Sequence, residues 1–396
     1  MKPDLYLEAS RQHHHESASR CCSFARNCLL IAAFALYNTT ALAVPYTITD
    51  LGTLGGAYSS AFDINNNGQV VGFASLNSGY SHPFLYSNGV MSDLGTLDGG
   101  TGGLARGIND SGQVAGTAYT AGGDMRAFLY SNGSMNNLGT LGGNRSQAYG
   151  INNSGQVVGW TDTAAVTGRA FLYSNGSMTD IGTLGGIYSY AHGINDSGQV
   201  AGQATPTRTT STSPYYHAFS YDNGSMIDLG TLGWDSSAAY DINNSGQVVG
   251  IVSSSTYNAD QHVYINTAHA FLYSNGSMID LGTLGGTNSW AGGINDSGQA
   301  VGWADTTDGA SHAVLYSGNT LTDLSLLPEV LNAGWTSLEE ARAINNKGQI
   351  VGYGFIGGNY RAFLLSPVPE PATLWLLGLG LLGMASLRRR LGARNG

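Results

Sequence analysis

One segment recurs seven times along the chain, and this recurrence limits the fold more than any other feature. It reads INNNGQVVG from Ile64, INDSGQVAG from Ile108, INNSGQVVG from Ile151, INDSGQVAG from Ile194, INNSGQVVG from Ile242, INDSGQAVG from Ile294 and INNKGQIVG from Ile344. The spacings are 44, 43, 43, 48, 52 and 50 residues. Each copy is followed by a second segment, from HPFLYSNG at His82 to RAFLLS at Arg361. A third segment, DLGTLGG, first occurs at Asp50 and returns as variants. Repeats of this length are supersecondary units that bury their apolar faces by packing on their neighbours.

Each unit reads as four short antiparallel strands. In the third copy these are Gln147 to Asn152, Gln156 to Trp160, Arg169 to Ser174 and Ser177 to Gly182. Asn153-Ser154-Gly155 turns the first pair, and Asn175-Gly176 is the preferred type I′ hairpin turn for the last pair. Gly-Thr-Leu-Gly-Gly then crosses to the next unit. Four strands per repeat of this length predict a propeller blade. The last copy stops after its third strand, Arg361 to Ser366, and the array opens with a strand-four match, Tyr46 to Gly52. The expected fold class is therefore all-β: a seven-bladed β-propeller of four-stranded antiparallel blades, with the N-terminal strand closing the last blade. Closure covers edges that an open array would expose. An open β-solenoid is the competing architecture, and it would call for capped ends. The expected divisions are 1–43, a signal peptide; 44–366, the repeats; and 367–396, a sorting tail with an apolar helix.

Composition fits turn-rich β structure, with 58 glycines, 42% hydrophobic residues and only 11% charged ones. Residues 44–366 hold 8 Lys+Arg against 22 Asp+Glu, a net −14. Nucleic acid is excluded as a partner, because its phosphates need Lys/Arg neutralisation. Cys21, Cys22 and Cys28 all fall in the N-terminal segment. The repeats must then hold together by packing, without disulfides.

The two ends read as addresses. Lys2, Arg11, Arg20 and Arg26 precede the apolar run Leu29 to Leu36, and Ala41-Leu42-Ala43 is a small-x-small cleavage site for signal peptidase. At the other end, Pro369-Glu370-Pro371 precedes LWLLGLGLLGMASL (Leu374 to Leu387) and the cluster Arg388-Arg389-Arg390. This order resembles the PEP-CTERM sorting signal. The resemblance implies that an exosortase recognises Pro369, Glu370 and Pro371 and cleaves near them. It also implies transient inner-membrane insertion of the apolar helix, with the arginines cytoplasmic. A plain C-terminal membrane anchor is the alternative. The repeats themselves resemble the extracellular family named for its His-Ala-Phe tripeptide, which occurs at His217-Ala218-Phe219 and His269-Ala270-Phe271. That resemblance carries no chemistry.

Several constellations bear on function. The residue before Ala-Phe is cationic or titratable in every copy, and strand four carries Asp or Asn. Cross-strand geometry predicts one structural pair per blade, such as Arg169 with Asp180 and His269 with Asp280. A ring of imidazoles for metal is disfavoured, because Arg cannot ligate a metal. The Ile-Asn-Asn/Asp turns, best at Asp63 to Gly68, offer too few carboxylates for calcium and read as Asx turns. No metal or cofactor is expected. No catalytic residues stand out, because Ser, His and Asp occupy equivalent places in every blade. Symmetry breaks in the loops after second strands, with Tyr215, Tyr216 and Tyr257, and in the last crossover, with Glu329, Glu339 and Glu340. Trp160 and Trp303 end second strands on the same face. Trp160, Tyr215, Tyr216, Tyr257 and Trp303 thus form the candidate ligand face, while the Glu339–Glu340 pair reads as part of a solvated short helix. The expected function is an exported, non-catalytic binding or structural module of the outer surface or extracellular matrix, associated with exopolysaccharide. The competing reading is a glycan-processing enzyme using one of the three glutamates.

Overall fold

The computed structural model describes residues 45–165, 167–207, 215–258 and 263–369. Ala41, Ala43, Glu370, Pro371, Arg388, Arg389 and Arg390 lie outside the described residues. Within them, twenty-eight strands form seven four-stranded antiparallel sheets. Six sheets follow chain order, as in β10 (Gly142–Ile151), β11 (Val157–Thr163), β12 (Gly168–Ser174) and β13 (Ser177–Asp180). The seventh breaks it. There β1 (Tyr46–Asp50) pairs with β28 (Asn359–Pro367), which continues to β27 (Ile350–Ile356) and β26 (Trp335–Ile344). The register runs from Tyr46 opposite Pro367 to Asp50 opposite Phe363. This is a seven-bladed β-propeller whose first strand closes its last blade.

Local chemistry explains each blade. Five Asn-Gly turns, such as Asn175 (φ 52°) with Gly176 (φ 78°), adopt the double positive φ of a type I′ hairpin. The third strand drives a phenylalanine between sheets: Phe84, Phe128, Phe171, Phe219, Phe271 and Phe363 are fully buried. Burying each from water favours folding by about 1.5–3 kcal/mol. The inner strand starts earlier than expected in the third blade, at Gly142 rather than Gln147. The crossover Gly-Gly is itself extended and reaches Thr163 of β11. One expectation fails outright. The helix α1 (Pro328–Asn332) contains only Glu329. Glu339 and Glu340 lie on β26, because Trp335, Leu338 and Ala341 are buried along that strand and it pairs with β27.

Neighbouring blades are tied by the asparagine that follows the repeat isoleucine. Asn65, Asn109, Asn152, Asn195, Asn243, Asn295 and Asn345 are each only 3–4% exposed. Each Nδ2 donates to the backbone carbonyl of the same asparagine in the next blade, at 2.9–3.2 Å. The seventh bond runs from Asn345 back to Asn65, so the set closes on itself. Each Nδ2 also donates to the glutamine four residues on, at 2.7–2.9 Å. Each Oδ1 accepts that glutamine's N–H. A buried serine adds a second tie. Ser59 Oγ donates to Gly52 O at 2.6 Å and accepts the N–H of Ala362, which belongs to the seventh blade.

Two outcomes follow from this closure. Removing Tyr46 to Gly52 leaves β28 as an open edge, so urea unfolding should show a lower midpoint for the whole domain. An unchanged midpoint would disprove closure by β1. Asn195→Ala leaves a buried Asn243 carbonyl and the Gln199 side chain without their partner, and should cost about 1–3 kcal/mol in the same measurement.

Candidate ligand site in the central channel

The inner strands β2 (Gly55–Ile64), β6 (Gly103–Ile108), β10, β14 (Gly185–Ile194), β18 (Ser236–Ile242), β22 (Gly285–Ile294) and β26 surround the axis. They run from the crossover face to the Asn-Gly turn face. The residue three before the repeat isoleucine is alanine in every blade, and all seven alanines are fully buried. The residue two before it varies freely: Phe62, Arg106, Tyr149, His192, Tyr240, Gly292 and Arg342.

That variable residue is the extra residue of a β-bulge in all seven inner strands. Ala61 faces Gly72 and Asp63 faces Val71, so Phe62 has no partner, and the same skip recurs around the ring. A bulge re-aims a side chain out of the pleat, here toward the axis. The bulge brings the inner-strand carbonyl against the second-strand glycine. A Cβ at Gly159 would stand 1.9 Å from Gln147 O, and at Gly302 1.7 Å from Trp290 O. This fixes the glycine of each GQVVG-type segment.

Phe62, Arg106, Tyr149, His192, Tyr240, Arg342 and Trp290 line a cavity of about 330 Å³ on the axis. Trp290 sits over Gly292, where a Cβ would stand 1.8 Å from its ring. The indole thus takes the place of the missing side chain. Trp290 also meets Tyr240 edge-on at 5.3 Å. Arg106 and Arg342 flank one ring, with their guanidinium carbons 5.4 and 4.5 Å from the Phe62 centroid.

The charges are layered along the axis. Arg342 pairs with Glu340 at 3.1 Å. Arg106 has no acidic partner among the described residues, and its Nε is sealed from solvent without a hydrogen bond. Burial, with the Arg106 charge second, pushes His192 down to about 3, so its imidazole is neutral. One step toward the turn face, Asp63 and Asp241 line a smaller cavity of about 150 Å³. Their carboxylates accept backbone N–H groups of their own and the next blade, at 2.8–2.9 Å. Burial nonetheless raises both to about 7. The turn-face mouth carries Asn66, Asp110, Asn153, Asp196, Asn244, Asp296 and Asn346.

A groove of about 450 Å³ opens between the first two blades and shares Arg106 with the channel. It exists because β6 is only 6 residues long, against 10 for β2 and β10. Phe73, Leu104 and Met125 line it, with Tyr80 (55% exposed) and Tyr119 (45% exposed) at its rim.

The residues singled out from sequence lie elsewhere. Trp160 is 7% exposed and stacks on Tyr190 at 5.8 Å, so it packs between blades and offers no free face. Tyr216 meets Tyr190 edge-on, whereas Tyr215 is exposed. Trp303 lies opposite Trp290 in the ladder, half-buried. Tyr257 lies in β19 (Val248–Asn258), opposite Tyr264. On the outer strands, His269 Nδ1 is 2.6 Å from Asp280 and Arg169 Nε is 3.8 Å from Asp180. Trp160, Tyr215, Tyr216, Trp303 and the outer-strand pairs do not line the channel. Sequence reasoning misses the channel residues because their asymmetry lies in strand interiors and not in loops. Aligning the seven copies two residues before their isoleucine would have exposed it.

Residues 367–390 match the PEP-CTERM protein-sorting motif. The motif implies an exported, cell-envelope-associated protein processed by an exosortase. No curated protein matches the chain. Among solved structures, a puromycin-hydrolysing peptidase of Mycobacterium tuberculosis aligns at 10% identity and TM-score 0.48, over 79% of this chain and 52% of that one. The chain thus spans about half the length of that peptidase. A Xanthomonas campestris gluconolactonase aligns at 11% identity and TM-score 0.36, over 82% and 96%. The Aleuria aurantia lectin, a six-bladed propeller that recognises fucose, aligns at 12% identity and TM-score 0.32, over 83% and 98%. These likenesses do not bear on what this chain binds. Among the described residues no helix is long and apolar enough to cross a membrane. Leu374 to Leu387 lies outside them.

The buried aspartates set a pH dependence. Their folded pKa is raised above the unfolded value, so the folded form holds protons that the unfolded chain releases. Their contribution is fully present below about pH 4 and is lost as pH rises through about 7. Asp63→Asn with Asp241→Asn should therefore remove a fall in stability between these limits. Urea midpoints measured across that range check it, and parallel curves for both proteins would refute it.

Proposed function

We propose that this chain is an exported, exosortase-sorted, non-catalytic binding module whose channel site takes extracellular polysaccharide. One observation carries the reading. Six of seven equivalent bulge positions present aromatic, imidazole or guanidinium side chains, of four types, to one axial cavity. Aromatic faces stack on sugar rings, while Tyr, His and Arg supply hydrogen bonds at fixed places. A catalytic role finds less support. Glu340 is paired with Arg342, and the oxygens of Asp63 and Asp241 are engaged by backbone N–H groups. Glycan processing by Glu329, Glu339 or Glu340 is thus the weaker alternative.

In this reading residues 1–43 form the leader cut by signal peptidase, 44–366 are repeats of the His-Ala-Phe type, and 367–396 form the sorting tail. The apolar helix of the tail holds the protein transiently in the inner membrane before release to the surface or matrix.

Co-sedimentation of the exported protein with exopolysaccharide from its own cells tests the proposal. Tyr149→Ala with Tyr240→Ala should abolish pelleting, while Trp303→Ala should leave it near wild type. Retained pelleting of the double variant would remove the channel from consideration. Pro369→Ala with Glu370→Ala should leave unprocessed protein in the membrane fraction, and normal release of that variant would refute sorting at this motif.

A further inference from the structure

Arg106 is the one charged side chain, among the described residues, that lines both the channel cavity and the groove between the first two blades. The other arginines of the domain that form ion pairs are Arg126, Arg145, Arg169, Arg342 and Arg361, with Asp124, Asp162, Asp180, Glu340 and Asp50. Arg106 is in none. Its neighbours do not compensate it: Arg342 carries the same charge, Tyr149 is 5.1 Å away as a ring face, and His192 is neutral. The nearest acidic layer, Asp63 and Asp241, is turned to the backbone N–H groups of the isoleucines.

Resting on the polysaccharide reading of this site, we infer that its ligand is acidic: Arg106 receives the carboxylate of a uronic-acid residue, and the adjoining sugars lie in the groove. An enclosed guanidinium without a counter-ion is unfavourable, and a ligand anion at that point supplies one. The planar fork of Arg matches a carboxylate with two parallel hydrogen bonds. Of the two guanidiniums that line the channel, Arg342 is already paired, which suits a singly charged carboxylate over a phosphate. Phe73, Leu104, Met125 and the rim tyrosines Tyr80 and Tyr119 offer apolar faces to sugar rings along the groove. The acidic domain repels a polyanion at long range, but salt confines that repulsion to about 8 Å under physiological conditions. Contact at Arg106 then decides binding.

Calorimetric titration of the exported protein with a short oligogalacturonate and with a neutral galactose oligomer of equal length tests this. The acidic oligomer should bind about tenfold or more tightly than the neutral one. Arg106→Gln should abolish that preference, while Arg126→Gln should keep it. Equal binding of both oligomers, unchanged by Arg106→Gln, overturns the acidic assignment and leaves the polysaccharide reading standing. Binding of neither oligomer, together with no pelleting on exopolysaccharide, overturns both. A sulfated oligomer that binds as tightly as the carboxylated one overturns the choice of carboxylate. Should Arg106→Gln fail to fold, Arg106→Lys carries the test. It keeps the charge without the fork, so it should weaken acidic binding and spare neutral binding. An unaltered pair of affinities would overturn the inference.

Discussion

A buried side-chain amide donating across each blade boundary is the interaction on which this structure rests. Sheet hydrogen bonds hold strands within a blade, but they say nothing about how blades meet. The asparagine after each repeat isoleucine does. Its two N–H groups divide between its own blade and the next, and its oxygen fixes the turn that presents it. Such a group is costly to leave unmade, because an unpaired buried amide loses its water without replacement. The ring is therefore satisfied only when it is closed. The seventh bond, Asn345 to Asn65, makes the first and last copies as dependent on each other as any neighbours.

The residue after that asparagine shows the same logic with charge. Around the mouth it alternates, Asn66, Asp110, Asn153, Asp196, Asn244, Asp296, Asn346. Every carboxylate lies between two amides that donate to it, as Asp296 does between Asn244 and Asn346. Alternation cannot be complete on a ring of seven, so one like pair must occur. It falls at the seam, where Asn346 N–H donates to Asn66 Oδ1 at 3.0 Å. That donor is the backbone N–H, as it is around the rest of the ring, and two neutral side-chain amides can stand side by side where two carboxylates would repel. The alternating INN and IND segments of the chain are thus set by a neighbour contact 43 to 52 residues away.

Much of this fold was legible because its determinants are local and repeated. The Asn-Gly turns, the period-two strands and the orphan strand at Tyr46 to Asp50 each carry their signal within a few residues. The candidate site is legible only in principle. Its residues sit in strand interiors, where side chains read as core, and only the bulge turns them to the axis. Trp160 shows the converse. Large, aromatic and beside a variable loop, it reads as a ligand platform, yet Tyr190 of the next blade covers it. Whether an aromatic side chain is covered depends on the adjacent blade, which sequence within one repeat does not specify. The strand placement of Glu339 and Glu340 is hard to read for a related reason: a crossover of unusual composition conceals the ordinary inner strand that follows it.

The bulge resolves a conflict between stability and asymmetry. Positions that pack blade on blade are nearly invariant, with alanine three before the isoleucine and, in five blades, serine five before it. A change there is felt on both sides. The bulge residue is turned toward the channel instead of into the blade-on-blade packing, so Phe, Arg, Tyr, His and Gly can all occupy it without disturbing the blades. The resulting order of charge along the axis has direction. Guanidiniums stand toward the crossover face, aspartates follow, and the mouth on the turn face holds three more carboxylates. A negative group entering from the crossover face meets attraction first and repulsion beyond it. The field in a narrow, low-dielectric channel is stronger than in open water, so it arrests an anion beside Arg106 instead of passing it through. The same order disfavours entry of that group from the turn face. The channel is thus electrostatically one-sided: its cationic end adjoins the groove, and its acidic end is the mouth that the asparagines line.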